Sequence, residues 1–317
     1  MRLVAGTRLG PYLVQGLIHE DATEHVYRAR YTHLDSDVAL KVAQSPIGSD
    51  HFVRFLQQWR TGSLIGHSNV LAVYDFGWHE GRPFIVLESV EGETLQTRLT
   101  EGPLTPTALS VIGIQVADGL AAAHGAGVIH GEIKPANILL TRGNRVKILN
   151  FGRATSLEET LELVQQVSPA SDARGALVEA LGHMSPEQAT ARTADHRTDI
   201  FSLGVLLHEM AAGAGPFRRS SPIDTLRAIL EEAPPNLCYG QPSFPPDLQR
   251  VIARCLEKDP DERFQSARDV CFNLELMLPS LTGAVAARAS FAATPRSLLA
   301  HAYWDPLGAG VQADRRQ

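Results

Sequence analysis

Cysteine is scarce in this 317-residue chain: Cys238, Cys255 and Cys271 are the only three, and none forms a C-x-x-C pair. An odd, scattered set argues against a disulfide framework and a cysteine zinc site, and fits a reducing compartment. There is no dense Lys/Arg block either. Basic and acidic residues number 29 and 35, for a net charge of −6, so the chain has little to neutralise a phosphate backbone and no nucleic-acid partner is expected. An uninterrupted hydrophobic run is also lacking. The longest apolar stretch, Ala108 to Ile129, is broken by Gln115, Asp118 and His124. A membrane span needs about 20 residues with few polar interruptions, so this segment reads as a buried helix and no span is expected. The opening MRLVAGTRLG has no apolar h-region, so a signal peptide is not indicated. The twelve histidines are not arranged as ligand pairs. What is present is ordinary for a folded protein: 44% apolar and 20% charged residues, over a length that suits one large domain or two small ones. These features together predict a soluble, cytoplasmic protein.

The chain divides by pattern. In the first ninety residues VYRAR (26–30), DVALKVA (37–43), NVLAVYDFGW (69–78) and RPFIVLESV (82–90) read as strands. Between the second and third, Phe52, Phe55, Leu56 and Trp59 share one face at helical spacing. After Glu91-Gly92 the pattern turns helical: Leu109, Ile112, Val116, Leu120 and Ala123 form the stripe of a long amphipathic helix. Two short strands follow, NILL (137–140) and RVKIL (145–149), and helical patterns dominate from Thr198 to Met277. The expected units are 1–90, β-rich with one helix; 91–278, mostly helical; and a tail, 279–317, disordered or docked through Leu298, Leu299, Tyr303 and Trp304.

HGEIKPANILL (130–140) followed by VKILNFG (146–152) resembles the catalytic and metal-binding loops of protein kinases, whose patterns are H-R-D-L-x-x-x-N and D-F-G. VALKV places Lys41 on a strand, where the family keeps its phosphate-pairing lysine. MSPEQ (184–188), DIFSLG (199–204) and DPDER (259–263) follow in the family's order. The likeness runs over roughly residues 9 to 278, and the IKPAN form is similar to bacterial Ser/Thr kinases. It implies an α+β, two-lobed fold, with a β-rich N-lobe carrying one main helix and a mostly helical C-lobe.

The resemblance also assigns roles. Glu132 stands at the catalytic base and Lys134 and Asn137 beside it. Val26, Ala39 and Leu139 form the roof and floor of an adenine slot, Leu87 its gatekeeper, and Glu88 to Val90 its connector. Asn137 and Asn150 stand at the metal-ligand positions. Several of these depart from the family. The three glycines of the phosphate loop fall at His19, Asp21 and Glu24, within the acidic segment HEDATE. Like charges 4 Å apart repel by about 4 kcal/mol at an effective dielectric near 20, so Glu20, Asp21 and Glu24 would oppose a polyanion; as a solvated hairpin tip the same residues would be inert. The glutamate that pairs Lys41 is replaced by Gln58, and no acid lies between His51 and Ile65, so the ion pair is expected to be lost. Gly131 replaces the arginine before the base, and Ala180 the threonine that braces it. Asn150 brings no negative charge to a magnesium ion, which is held by one or two carboxylates plus phosphates. Glu187, Arg263 and Asp199 match the residues that hold the C-lobe together.

The expectation is a pseudokinase that binds ATP weakly or without Mg²⁺ and signals by engaging a protein partner, an active kinase or its substrate. The alternative is a low-activity Ser/Thr kinase with Glu132 as base. Residues 153–184 carry a helical stripe (Leu157, Leu161, Val164) over the substrate groove or form a surface loop, and Ser156, Thr160, Ser168 and Ser171 are phosphorylation candidates.

Overall fold

The computed structural model describes residues 2–20, 24–44, 50–151, 173–240 and 244–283. Its first half is a six-stranded antiparallel sheet built from β1 (Arg8–Leu9), β2 (Tyr12–Glu20), β3 (Glu24–Tyr31), β4 (Ser36–Ala43), β5 (Val73–His79) and β6 (Arg82–Glu88), in the order β1-β2-β3-β4-β6-β5. Side chains alternate across a strand, and here both faces are apolar. Tyr27, Ala29, Val38, Leu40, Val42 and Val86 pack on one side. Val26, Ala39, Ala43, Ile85 and Leu87 pack on the other, against Phe55 of helix α1 (Asp50–Gly62) and against Leu139 and Leu149 of the second half. That second face therefore joins the sheet to the rest of the protein.

Two local readings differ from what formed. Strand β2 had no counterpart in the sequence pattern. Its residues drift from alternation because register shifts between Val14 and Gly16 and between Leu17 and His19 interrupt the pairing with β3. Residues 69–72, read as the start of a strand, instead clamp the second half: Val70 bridges Ile148, Leu71 N–H donates to Ile148 O (2.9 Å), and Ile148 N–H donates to Asn69 O (2.7 Å).

The second half begins with β7 (Gly92–Thr94) and α2 (Leu95–Leu99), the latter N-capped by the Thr94 hydroxyl. Helix α3 (Pro106–Gly125) starts with Thr105 as cap and proline in its first turn. Its whole predicted stripe is buried, each full side chain contributing about 1.5–3 kcal/mol. Strands β8 (Ile138–Thr141) and β9 (Val146–Ile148) form a hairpin beside β7. Then follow α4 (Ala173–Leu181), α5 (Pro186–Ala189), α6 (His196–Ala212), α7 (Pro222–Glu231), α8 (Leu237–Gly240), α9 (Pro246–Cys255) and α10 (Ala267–Gly283). Helix α6 is buried on nearly every side, and Gly204 makes this packing possible: a Cβ there would stand 2.6 Å from that of Cys255. Helix α10 continues through Pro279, so the last helix extends past the point chosen from sequence as the start of the tail. The docking residues Leu298, Leu299, Tyr303 and Trp304, the stripe Leu157, Leu161 and Val164, and Ser156, Thr160, Ser168 and Ser171 lie outside the described residues. This is a two-lobed α+β architecture, as expected.

Candidate nucleotide and phosphate site

Strand β4 carries Lys41 on the sheet face that meets the second half, and 99% of the residue is buried. A buried ammonium needs a partner. The partner is Glu24, whose Oε2 lies 2.6 Å from Lys41 Nζ with its own side chain only 8% exposed. The register explains the encounter: β3 and β4 pair Val26 with Lys41 and Glu24 with Ala43, so Glu24 and Lys41 are diagonal neighbours on one face, within reach of long side chains. This corrects the expectation that the lysine had lost its ion pair. The acid comes from the neighbouring strand rather than from α1, at the position of the third loop glycine. The side chain of Gln58, and Asp21, lie outside the described residues. Glu20 sits at the end of β2, where it contacts His25 Nε2 (3.2 Å).

From Lys41 a polar chain crosses to the second half. Lys41 Nζ donates to Asn150 Oδ1 (3.3 Å), Asn150 Nδ2 to Asn137 Oδ1 (2.9 Å), and Asn137 Nδ2 to the Glu132 carbonyl (2.8 Å). Both amide oxygens at the metal-ligand positions thus accept hydrogen bonds within the protein. Glu132 Oε1 accepts from Lys134 Nζ at 2.7 Å. The two carboxylates of this network, Glu24 and Glu132, are therefore each paired with a lysine. Asn150 has φ +65°, a left-handed conformation that Asn and Asp enter more readily than other side chains.

The loop between them is held from behind. Asp199, fully buried on α6, accepts from the backbone N–H of His130 (2.8 Å) and Gly131 (2.7 Å) and contacts His124 Nε2 (2.8 Å). Burial alone would raise its pKa. The bond to His124, that ring's charge and the Gly131 N–H outweigh it and hold the carboxyl below its usual range. His130 Nε2–H donates to Leu149 O (2.7 Å) while Nδ1 accepts from the Glu132 N–H (3.1 Å). A neutral ring does both, and burial pushes its pKa down accordingly. Gly131 stands at φ +76°, where a Cβ is disfavoured, and its carbonyl accepts from Gln188 Nε2 (2.8 Å). Gln188 thus fastens this loop to the α5 turn, closing a capping box with Ser185; Ala180 lies in α4. Glu187 and Arg263 form a two-pronged buried pair (2.8 and 2.9 Å).

The other residues assigned from sequence also converge. Val26, Ala39, Leu87 and Leu139 belong to one apolar cluster, with Val90 packed against it. Val26 and Leu139 are 0% exposed and Ala39 1%, so roof and floor are already covered. The Glu88 side chain turns to Lys147 Nζ (2.7 Å) and the Ala72 N–H (3.2 Å), tying the connector to β9. Sequence reasoning missed the Glu24 pairing and the brace from Gln188. The first was signalled by parity: Glu24 shares its strand face with Val26.

The protein kinase domain family model matches residues 18–273. The chain is 33% identical over 252 residues to serine/threonine-protein kinase PknB of Mycolicibacterium smegmatis, covering 77% of this chain and 39% of that protein. It is 34% identical over 274 residues to serine/threonine-protein kinase PknL of Mycobacterium tuberculosis, covering 85% and 66%. It is 37% identical over 275 residues to serine/threonine-protein kinase pkn3 of Myxococcus xanthus, covering 84% and 49%. The chain therefore spans between about two fifths and two thirds of the length of these relatives.

Proposed function

The chain belongs to the protein kinase domain family, and from that premise we propose that it acts mainly by binding, as a pseudokinase whose output is a surface presented to a protein partner in the cytoplasm, an active kinase or that kinase's substrate. Family membership implies ATP as the ligand, usually with Mg²⁺. The apolar cluster of Val26, Ala39, Leu87 and Leu139 suits an adenine ring. Its covered state favours weak binding, because an entering ring must displace existing packing. The observation that carries the reading is the polar chain Lys41–Asn150–Asn137. Phosphoryl transfer depends on a carboxylate-held metal and a lysine on the phosphates. Here the two ligand positions are neutral amides bonded to one another, although Lys41 keeps a carboxylate partner in Glu24. That donor set is a poor match for Mg²⁺, which favours carboxylates.

The test is an ATP titration by thermal shift with and without Mg²⁺, alongside radiolabelled γ-phosphate transfer. Stabilisation follows RT ln(1 + [L]/Kd), about 2.7 kcal/mol at a hundredfold excess over Kd. The expected result is a small shift indifferent to Mg²⁺ and no transfer. Transfer lost in Lys41→Ala would overturn the reading in favour of a working Ser/Thr kinase. That second reading has one observation behind it: Glu132 puts a partly exposed carboxylate at the base position, 2.7 Å from Lys134. In the first reading, Asn150→Asp restores one carboxylate on a backbone that accepts it, and Mg²⁺ dependence of the ATP shift appears.

A further inference from the structure

Helix α10 has two unlike faces. Ala267, Val270, Cys271 and Leu274 are buried, and Cys271 Sγ–H donates to Ile114 O of α3 (3.6 Å). Further around the helix, Phe272 and Leu276 stand 58% and 63% exposed. Residues four apart are stacked neighbours on a helix surface, so these two form one apolar ridge rather than two scattered side chains. Charges flank the ridge: Arg268, Asp269 and Glu275 are exposed. Covering the ridge would remove apolar surface from water, which is favourable.

The chain itself supplies a cover. Residues 284–317 follow α10 directly and lie outside the described residues. In their sequence Thr294-Pro295 is a helix-start pair, cap and then first turn, and Pro306 is a stop. Between these signals Leu299, Tyr303 and Trp304 fall on one side at helical spacing. Connections between packed helices take about 2–8 residues, so residues 284–294 are enough for the segment to turn back along α10. Running antiparallel, Leu299 meets Leu276 and Tyr303 meets Phe272. The same register sets Arg296 within a turn of Glu275, and Asp305 within a turn of Arg268, so opposite charges face each other. We infer that residues 295–305 dock on the Phe272–Leu276 ridge of the same molecule and close a helical hairpin with α10. The tether makes the contact intramolecular, which raises the effective concentration of this segment over that of a second copy. The inference stands apart from the nucleotide site and from the proposed function.

The test is limited trypsin digestion of the whole chain, with cleavage after Arg288 and after Arg296 timed by mass spectrometry. A docked segment resists cleavage while its connector does not. In the wild type, cutting after Arg296 is expected to be at least tenfold slower than after Arg288, and to stay so over a hundredfold dilution of the protein. Leu299→Asp and Phe272→Asp should each bring the two rates within about twofold, and Phe272→Leu, which keeps the ridge apolar, should retain the wild-type ratio. Equal rates in the wild type overturn the inference, and so does protection that survives both aspartate substitutions. Protection lost on dilution overturns it too and assigns the ridge to a second copy. Leu299 lies outside the described residues, so its variant keeps the inference open to refutation even where Phe272→Asp fails to fold.

Discussion

Two buried glutamate–cation pairs lie in different halves of this protein, and they are built differently. Arg263 grips Glu187 with two parallel bonds while its remaining donors reach the carbonyls of Arg197, Glu257 and Lys258, and Thr198 donates to the same carboxylate at 2.7 Å. Every element of that knot comes from the helical half. Lys41 and Glu24 instead meet through the register of two adjacent strands, with Asn150 of the other half as a further contact. A planar fork satisfied on all sides is held in one geometry; an ammonium is a compact charge on a flexible stem, with fewer geometric demands on its partners. The contrast teaches that one pair locks a single half of the chain while the other also ties the two halves together.

The largest effect should come from the forked pair. Arg263→Ala leaves Glu187 buried without its cation and should cost about 3–5 kcal/mol, read as a lower urea midpoint. Replacing both partners by apolar residues of similar volume should recover most of that loss. Next comes Asp199→Asn, which weakens two backbone contacts and the His124 contact at once and should cost about 3 kcal/mol. Its pH signature has a definite sign. Because the folded carboxyl sits below its unfolded value near 4, the stability gap between wild type and variant should be constant from pH 5 to 8. It should close as pH falls through the folded pKa. Glu24→Ala should cost less, about 1–3 kcal/mol, because Lys41 keeps its bond to Asn150. A loss equal to that of Arg263→Ala would erase the contrast between the two pairs. Last, Arg227→Ala breaks an exposed i,i+4 pair with Glu231 (3.0 Å) and should leave the urea midpoint unmoved.

Legibility followed locality. The stripe of α3, the β8–β9 hairpin and the order of motifs are short-range patterns, and the architecture follows from them. Asp199, Glu187 and Arg263 were recognisable because each sits inside a contiguous motif. The Lys41 partner was not, because a search confined to α1 cannot see across a strand pair; only the pairing of Val26 with Lys41 puts Glu24 on the right face. Strand β2 escaped notice because its irregular pairing breaks the alternation. Helix α4 escaped although Asp172 and Gly182 bracket it in the sequence, because its amphipathic stripe is weak and Gly175 falls inside it. Gln188 escaped because its role is to hold a backbone carbonyl 57 residues away.

Asn150 has a consequence for how this protein could change. Its left-handed turn rules out most replacements, but aspartate is as much at home there, and the two differ by a single group at the side-chain tip. An acidic residue could therefore arise at the heart of this site by one codon change, with the main chain left undisturbed. On that account a carboxylate beside Asn137 lies a single substitution away, at a position whose main chain already accepts it.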